Sequence, residues 1–474
     1  MASLQCLMCL NLCPHQPAAR LHGFRQRRST TTRLIFRVKC ESRGSSYVDE
    51  AATGNEKKLK ILVAGGGIAG LVFGLAAKRS GFDVKVFEKD LTAVKGEGME
   101  RGPIQLLSSA LGLLEAIDKD VAREIMGAGH VTGDRNCGLA DGRSGEWFVK
   151  FDFLTPAIVK GIPITQMICR MELQRLLLNA VGEDVVINNS KVVDFVDDAD
   201  KVTVFLDNGQ QYEGDLLIGA DGLRSTVRSK LFGAHEPNYS NFICYTGVAE
   251  FDPQHLPHFG YKVFLGRNQF FVAADIGKGR LQWYAFVKEA RQSPVSSAGN
   301  KNMLVERYGD WCNEVVNIIR RTQENMIIRR PIYDTDMMDT WGRGRVILLG
   351  DAAHAMLPNL GQGGSIAIED CYWLMVELQN LAQTRPMSDI TSDDLASAFR
   401  RFEKKRMFRV RTVHTICRMA SVMTSVYQSY LDIGPLPLFK EWSMRVKHPG
   451  LLITNQLLQI ALPKFMDWVI AGQE

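Results

Sequence analysis

The chain has 474 residues, 46% hydrophobic and 23% charged, with 42 glycines against 16 prolines. That is the composition of a globular α/β protein with many tight turns, and it excludes a collagen, a coiled coil, a disordered tail protein and, with no apolar run near ~18 residues, a multi-pass membrane protein. The net charge of +5 comes from one end: residues 1–46 hold eight basic residues and one acid, Glu41, and the rest carries 49 basic against 51 acidic residues, a balance that gives no reason to expect a nucleic-acid partner.

Residues 1–40 contain no Asp or Glu, while Arg20, Arg25, Arg27, Arg28, Arg33 and Arg37 surround the hydroxyl run Ser29–Thr32. An Arg-rich, acid-poor, hydroxyl-bearing start predicts an organelle transit peptide over 1–46, cleaved near Cys40–Ser46. Cys6, Cys9, Cys13 and His15 have roughly zinc-like spacing but no second ligand pair, so no metal is expected. The other cysteines, Cys137, Cys169, Cys244, Cys312, Cys371 and Cys417, are isolated and read as buried thiols in a reducing compartment.

Leu59–Ala64 is a short apolar run ended by glycines, which predicts a buried parallel strand. Gly65-Gly66-Gly67-Ile68-Ala69-Gly70 follows, then a helix over Leu71–Ser80 and a strand over Asp83–Glu88, a βαβ unit of about thirty residues. Helical spacing recurs at Met171–Ala180. Lys201–Leu206 and Gln211–Leu217 predict two strands joined at Asn208-Gly209, a strong hairpin signal. Tyr261–Leu265, Phe270–Ala274 and Leu281–Phe286 alternate as strands of an antiparallel sheet packed on one face. Val346–Leu349 returns to a buried strand, a helix begins near Ser365, and 366–430 reads as long amphipathic helices. The apolar patch Leu451, Leu452, Leu457, Leu458, Ile460, Ala461 and Leu462 either docks against the body or enters a membrane surface.

The pattern predicts an α/β fold: a Rossmann-like nucleotide domain interrupted by a mostly antiparallel sheet domain. The expected segments are 57–130, 161–235 and 336–430 for the nucleotide domain, 131–160 and 236–335 for the inserted substrate domain, and 431–474 for a C-terminal apolar helical segment.

Three motifs carry the chemistry. Gly65-x-Gly67-x-x-Gly70 lies between strand and helix, and Glu88 closes the next strand 18 residues beyond Gly70. There glycines admit a pyrophosphate to the helix N-terminus and the acid takes ribose hydroxyls. Gly219-Ala220-Asp221-Gly222 ends a second strand. Gly350-Asp351 ends a third, followed by Pro358 and Gly361-Gln362-Gly363-Gly364 before a helix.

In this order and spacing the motifs resemble those of the class A flavoprotein monooxygenases, from about Leu59 to Gln428. The resemblance implies FAD held by Gly65, Gly67, Ile68, Ala69, Gly70, Glu88 and Lys89, with Arg101 and Arg170 also on the cofactor. It assigns Asp221 to FAD and NADPH, and Gly350 and Asp351 to the ribityl or ribose region. It sets Pro358, Gly361, Gln362, Gly363 and Gly364 beside the flavin ring. No side chain is assigned as catalytic, because the reactive chemistry belongs to the cofactor. His354 reads as a hydrogen-bonded structural histidine.

Longer stretches are similar to the plant zeaxanthin epoxidases within that family: Arg101-Gly-Pro-Ile-Gln, Gln282-Trp-Tyr-Ala-Phe and Met466-Asp-Trp-Val among them. That similarity implies a plastid enzyme using FAD, O2 and either NADPH or reduced ferredoxin to epoxidise a xanthophyll, with peripheral contact to a plastid membrane. Ala352-Ala353 stands where those enzymes commonly have Ser-x, and their forkhead-associated domain is not expected within these 474 residues. Trp283, Tyr284, Phe286, Phe270 and Phe271 are the expected pocket wall. An aromatic-ring hydroxylase on the same scaffold, or a flavin-binding protein without turnover, remains open.

Overall fold

A computed structural model describes residues 58–92, 102–198, 200–251, 258–292, 299–386, 389–428, 430–433, 444–447 and 449–472, with side chains of the last helix described from 459. The predicted transit peptide and Arg101 lie outside these residues.

Two sheets organise the chain. The first has six strands, in the order Gly342–Arg343, Val346–Leu348, Leu216–Gly219, Lys60–Ala64, Asp83–Phe87 and Val186–Ile187. All neighbours run parallel except the first pair. Its central strands are apolar beyond Lys60 because both faces are buried, so they show no alternation in sequence. Register aligns Ala64 with Gly219 and Gly219 with Leu348, so the three motif loops leave the sheet side by side at its carboxyl edge. In open α/β sheets that edge is where ligands bind.

The second sheet has seven strands: Ile328–Asp334, Asn238–Glu250, Arg280–Lys288, Gln269–Asp275, Tyr261–Gly266, Cys137–Asp141 and Trp147–Phe151. It is antiparallel except where Tyr261–Gly266 meets Cys137–Asp141. Both faces are covered, with opposite consequences. One face carries Trp283, Phe271, Phe264 and Tyr245 against the helices Asn300–Arg307 and Asn313–Arg321. The other carries Phe242, Val263, Phe270, Val272 and Phe286, and it faces the cavities described below.

Two expectations change. Gln211–Leu217 is not one strand. Gln211–Gly214 completes the hairpin sheet with Val202–Leu206, whereas Leu216–Gly219 crosses to the centre of the parallel sheet. The break falls at Asp215, whose carboxylate accepts the Lys60 N–H at 2.7 Å. Cys169 is exposed, and Cys312 only half-buried; Cys169 ends a strand at the head of the helix Arg170–Val181, outside any core.

The C-terminal helix Pro449–Ala471 docks through its last turns. Met466, Val469 and Ile470 are buried with Leu107, Cys137 and Phe153. Arg409 donates to the carbonyls of Trp468 (3.2 Å) and Val469 (2.8 Å), satisfying groups that a helix end leaves open. Ile460 is 64% exposed. Leu451, Leu452, Leu457 and Leu458 lie outside the described side chains. Among the described residues no helix is long and apolar enough to cross a membrane.

Candidate active site

The fingerprint turn shows which glycines the protein itself requires. Gly65 has φ +103°, and a side chain on Gly70 would overlap the Gly65 carbonyl oxygen. Gly67 differs: its φ is −72°, and a Cβ there would meet no protein atom within 4 Å. Among the described residues nothing demands glycine at 67, and the space before it stands open. That space is a cavity of about 480 Å³, walled by Gly67, Ile68 and Ala69 from this turn.

Other motifs converge on the same cavity. Asp351 opens the short helix Asp351–His354 and stands on the wall. Its carboxylate caps nothing and has no hydrogen-bond partner among the described residues. Pro358, Gly361, Gly363 and Gly364 form the adjoining wall, Arg170 stands at the head of its helix, and Gly222 comes from the third loop. Gly350 (φ +56°) turns the chain just behind them. The helix after this loop starts at Gly363, two residues before the expected Ser365, so its first turn, with the N–H groups a helix start leaves unpaired, stands on the cavity wall.

Several expected residues support the site from behind rather than lining it. Glu88 is buried, and its carboxylate accepts from Gly66 N–H at 2.6 Å and Asp90 N–H at 2.9 Å. It thus fixes the fingerprint turn. Asp221 accepts from Ser225 Oγ (2.5 Å), Thr226 N–H (2.7 Å) and Val227 N–H (3.1 Å), starting the helix Thr226–Phe232. Burial pushes its carboxyl above the usual range despite those donors. Lys89 is exposed, and Gln362 is buried with its Nε2 donating to Leu360 O at 3.3 Å.

The expected aromatic wall divides in two because strand residues alternate between faces. Tyr284 and Phe286 line the 480 Å³ cavity, and Phe270 lines a second one. Trp283 and Phe271 point the other way into the helix-covered core, with ring centroids 5.5 Å apart. They are corrected from pocket wall to core. Tyr284 donates its hydroxyl to Pro103 O at 2.8 Å, and burial pushes its pKa up, so it stays neutral.

The second cavity, of about 240 Å³, was not foreseen. Its wall combines Leu139, Val263 and Leu265 of the sheet with Ile416, Met419 and Met423 of the helix Ser392–Val426 and Leu462 and Met466 of the C-terminal helix. It shares two residues, Gln105 and Tyr261, with the first cavity. Gln105 sits in the strand Ile104–Leu106. An amide inside the apolar run Ile-Gln-Leu-Leu was the signal that could have singled it out.

Behind both cavities lies a buried ionic network. His354 Nε2 lies 2.6 Å from Asp370 Oδ2. Arg406 reaches Asp370 at 2.8 Å and Glu369 at 2.7 Å, and Arg409 reaches Glu369 at 2.8 Å. All five side chains are at most 2% exposed. Burial alone would raise both carboxyls; the arginines, and His354 at Asp370, outweigh it and hold them below the usual range. This makes His354 a structural histidine, as expected.

Residues 58–391 match the family described as FAD binding domain. Chloroplastic zeaxanthin epoxidase of Solanum lycopersicum is 50% identical over 428 residues, 90% of this chain and 64% of that protein. The Arabidopsis thaliana protein of that name is 52% identical over 406 residues, 86% of this chain and 61% of its own. The chain therefore spans somewhat under two thirds of these relatives. Among solved structures, Klebsiella pneumoniae HpxO complexed with FAD and uric acid aligns with a TM-score of 0.71 at 26% identity, over 87% of this chain and 96% of that one. A salicylate hydroxylase substrate complex aligns at 0.68 and 20% identity, over 88% and 96%, and shares the fold.

Proposed function

The chain belongs to the FAD-binding domain family, and on that premise we propose that it is a plastid FAD-dependent monooxygenase that epoxidises a xanthophyll, converting zeaxanthin to antheraxanthin and violaxanthin. The observation that carries this reading is the pairing of the cavities. One is walled by motif backbone at two helix N-termini, and the other, sharing Gln105 and Tyr261 with it, is walled almost entirely by apolar side chains. Relatives named chloroplastic zeaxanthin epoxidase support both the substrate class and the compartment.

The residues present fit FAD: Gly67 leaves space where a pyrophosphate approaches, and Asp351 is an unpaired acceptor for ribityl or ribose hydroxyls. When bound, FAD would pass two electrons from NADPH or reduced ferredoxin to dioxygen, so that with two protons one oxygen atom goes to the alkene and the other leaves as water. The chain's own part is positional. Gly67–Ala69 hold the phosphates, Arg170 adds positive charge, and Pro358 and Gly361–Gly364 seat the ring. Neutral Tyr284 and Phe286 close the wall and exclude water. The apolar cavity aligns the polyene end. Protein carrying FAD, given reductant, O2 and zeaxanthin, should yield products heavier by one and then two oxygen atoms. Turnover of a small phenol but not of zeaxanthin would favour a ring hydroxylase; no oxidation of reductant with any substrate would favour a protein without turnover.

A lipophilic substrate must be collected from lipid. Met419 and Met423 line the apolar cavity and are also 55% and 46% exposed, beside exposed Val422 and Val426 one turn apart. This apolar rim supports peripheral contact with a plastid membrane.

A further inference from the structure

We propose that Gln105 is the specificity-determining donor of the substrate site: its side-chain amide hydrogen-bonds a hydroxyl or carbonyl oxygen carried on the same ring as the reacting alkene. The proposal rests on the reading of the apolar cavity as the substrate site.

Gln105 is 6% exposed and stands on the walls of both cavities. Its Nε2 is buried and, among the described residues, has no hydrogen-bond partner. A buried amide N–H left unpaired destabilises a fold, so it calls for a partner, and on the wall of a cavity a ligand can supply one. The other polar side chains of the apolar cavity are placed differently. Asn359 Nδ2 donates to Cys417 O and Ser421 Oγ, both at 2.7 Å. Thr424 donates to Ser421 O and Tyr427 to Asp141 Oδ1, both at 2.8 Å. Tyr261 is only partly buried. Gln105 thus combines deep burial with an uncommitted donor at the junction of the two cavities.

Its location sets the geometry of the ligand. The Gln105 Oε1 lies 3.2 Å from where a Cβ on Gly361 would be, so the amide lies against the loop assigned to the flavin ring. An oxygen bound there is close to the reacting bond, whereas the rest of the substrate lies among apolar side chains. The chemistry is that of a cyclic alkene with a ring hydroxyl at the head of a long hydrocarbon. Zeaxanthin has that head; β-carotene has the same alkene and chain without the oxygen. A site built to bond an oxygen rejects an analogue lacking it more strongly than an apolar pocket rejects an added one.

The test uses the full chain loaded with FAD, titrated with zeaxanthin and with β-carotene in detergent micelles and read by perturbation of the flavin spectrum. The parent protein should prefer zeaxanthin at least tenfold. Gln105→Met, of similar volume without a donor, should lower that preference at least tenfold while FAD remains bound. Gln105→Asn, which keeps the donor but withdraws it, should fall between them and serves if the Met variant does not fold. Equal preference in parent and Met variant, or none in the parent, overturns the proposal and leaves the proposed reaction standing. Loss of FAD in a folded Met variant also overturns it, assigning the donor to the cofactor. A parent protein that neither binds nor oxidises either pigment overturns the proposed reaction and this inference together.

Discussion

The two cavities are built from different materials. The first is made largely of backbone: three loops leaving the carboxyl edge of one parallel sheet, with glycines on the cavity wall. The second is made of side chains from strands and helices more than 300 residues apart in sequence, Leu139 to Met466. A backbone site needs particular residues at fixed spacing, because few residues permit the turn or the approach. A side-chain site needs only apolar bulk of the right shape, which many sequences provide.

The sharpest tests compare neighbours. The largest effect is expected in the charged layer that anchors the helices behind both cavities. Arg406→Met removes the charge shared by Glu369 and Asp370, leaving them to Arg409 and His354 alone, and should cost about 3–5 kcal/mol at pH 7 in denaturant unfolding. Because both carboxyls titrate below their unfolded values, their contribution in the parent is complete above about pH 4.5 and disappears as pH falls through the folded pKa. In the variant the two acids have lost half of their compensating charge and are protonated more readily, so the deficit should narrow toward pH 5; a deficit independent of pH would show that lost packing, not charge, dominates.

Phe271 and Phe270 are adjacent but face opposite ways. Phe271→Ala, in the helix-covered core, should cost about 3–5 kcal/mol of stability. Phe270→Ala, stacked on Phe286 at 4.3 Å beside the apolar cavity, should cost less and lower the affinity for xanthophyll. Equal stability losses with unchanged ligand binding would erase the distinction between the two faces.

Gly70 and Gly67 divide the backbone site in the same way. Gly70→Val forces the Gly65 carbonyl aside and should destabilise the fold by about 3 kcal/mol. Gly67→Val should melt normally yet purify without flavin. A yellow Gly67→Val protein of full stoichiometry would remove the reason given for that glycine.

Asp351→Ala should weaken FAD by about 1.5–3 kcal/mol, a factor of roughly 10 to 150, with little change in melting, since its carboxylate bonds no protein group among the described residues. Unchanged flavin affinity would take Asp351 out of the site. The smallest effect on stability, within about 0.5 kcal/mol, is expected for Val422→Glu with Val426→Glu. Binding to neutral galactolipid vesicles should nevertheless fall and, in the parent, survive high salt, because it depends on apolar area and not on charge. Retained binding in the double variant would move the lipid contact elsewhere.

By itself the sequence determined the parallel sheet, the fingerprint turn and the grouping of Gly67, Asp351, Gly361, Gly363 and Gly364, which the fold sets around one cavity. Each is a local requirement: a buried strand needs an unbroken apolar run, and a close approach needs glycine. Only the tertiary structure decided that Glu88 and Asp221 brace loops from behind, that Trp283 and Phe271 turn away from the cavities while Phe286 and Phe270 line them, and that Gln211–Leu217 serves two sheets. It alone brought Gln105, Leu139, Met423 and Met466 around one apolar space and paired Glu369 and Asp370 with Arg406 and Arg409. Those outcomes depend on which face of a strand or helix meets which partner, a matter of register and long-range packing that residue spacing along one segment does not contain.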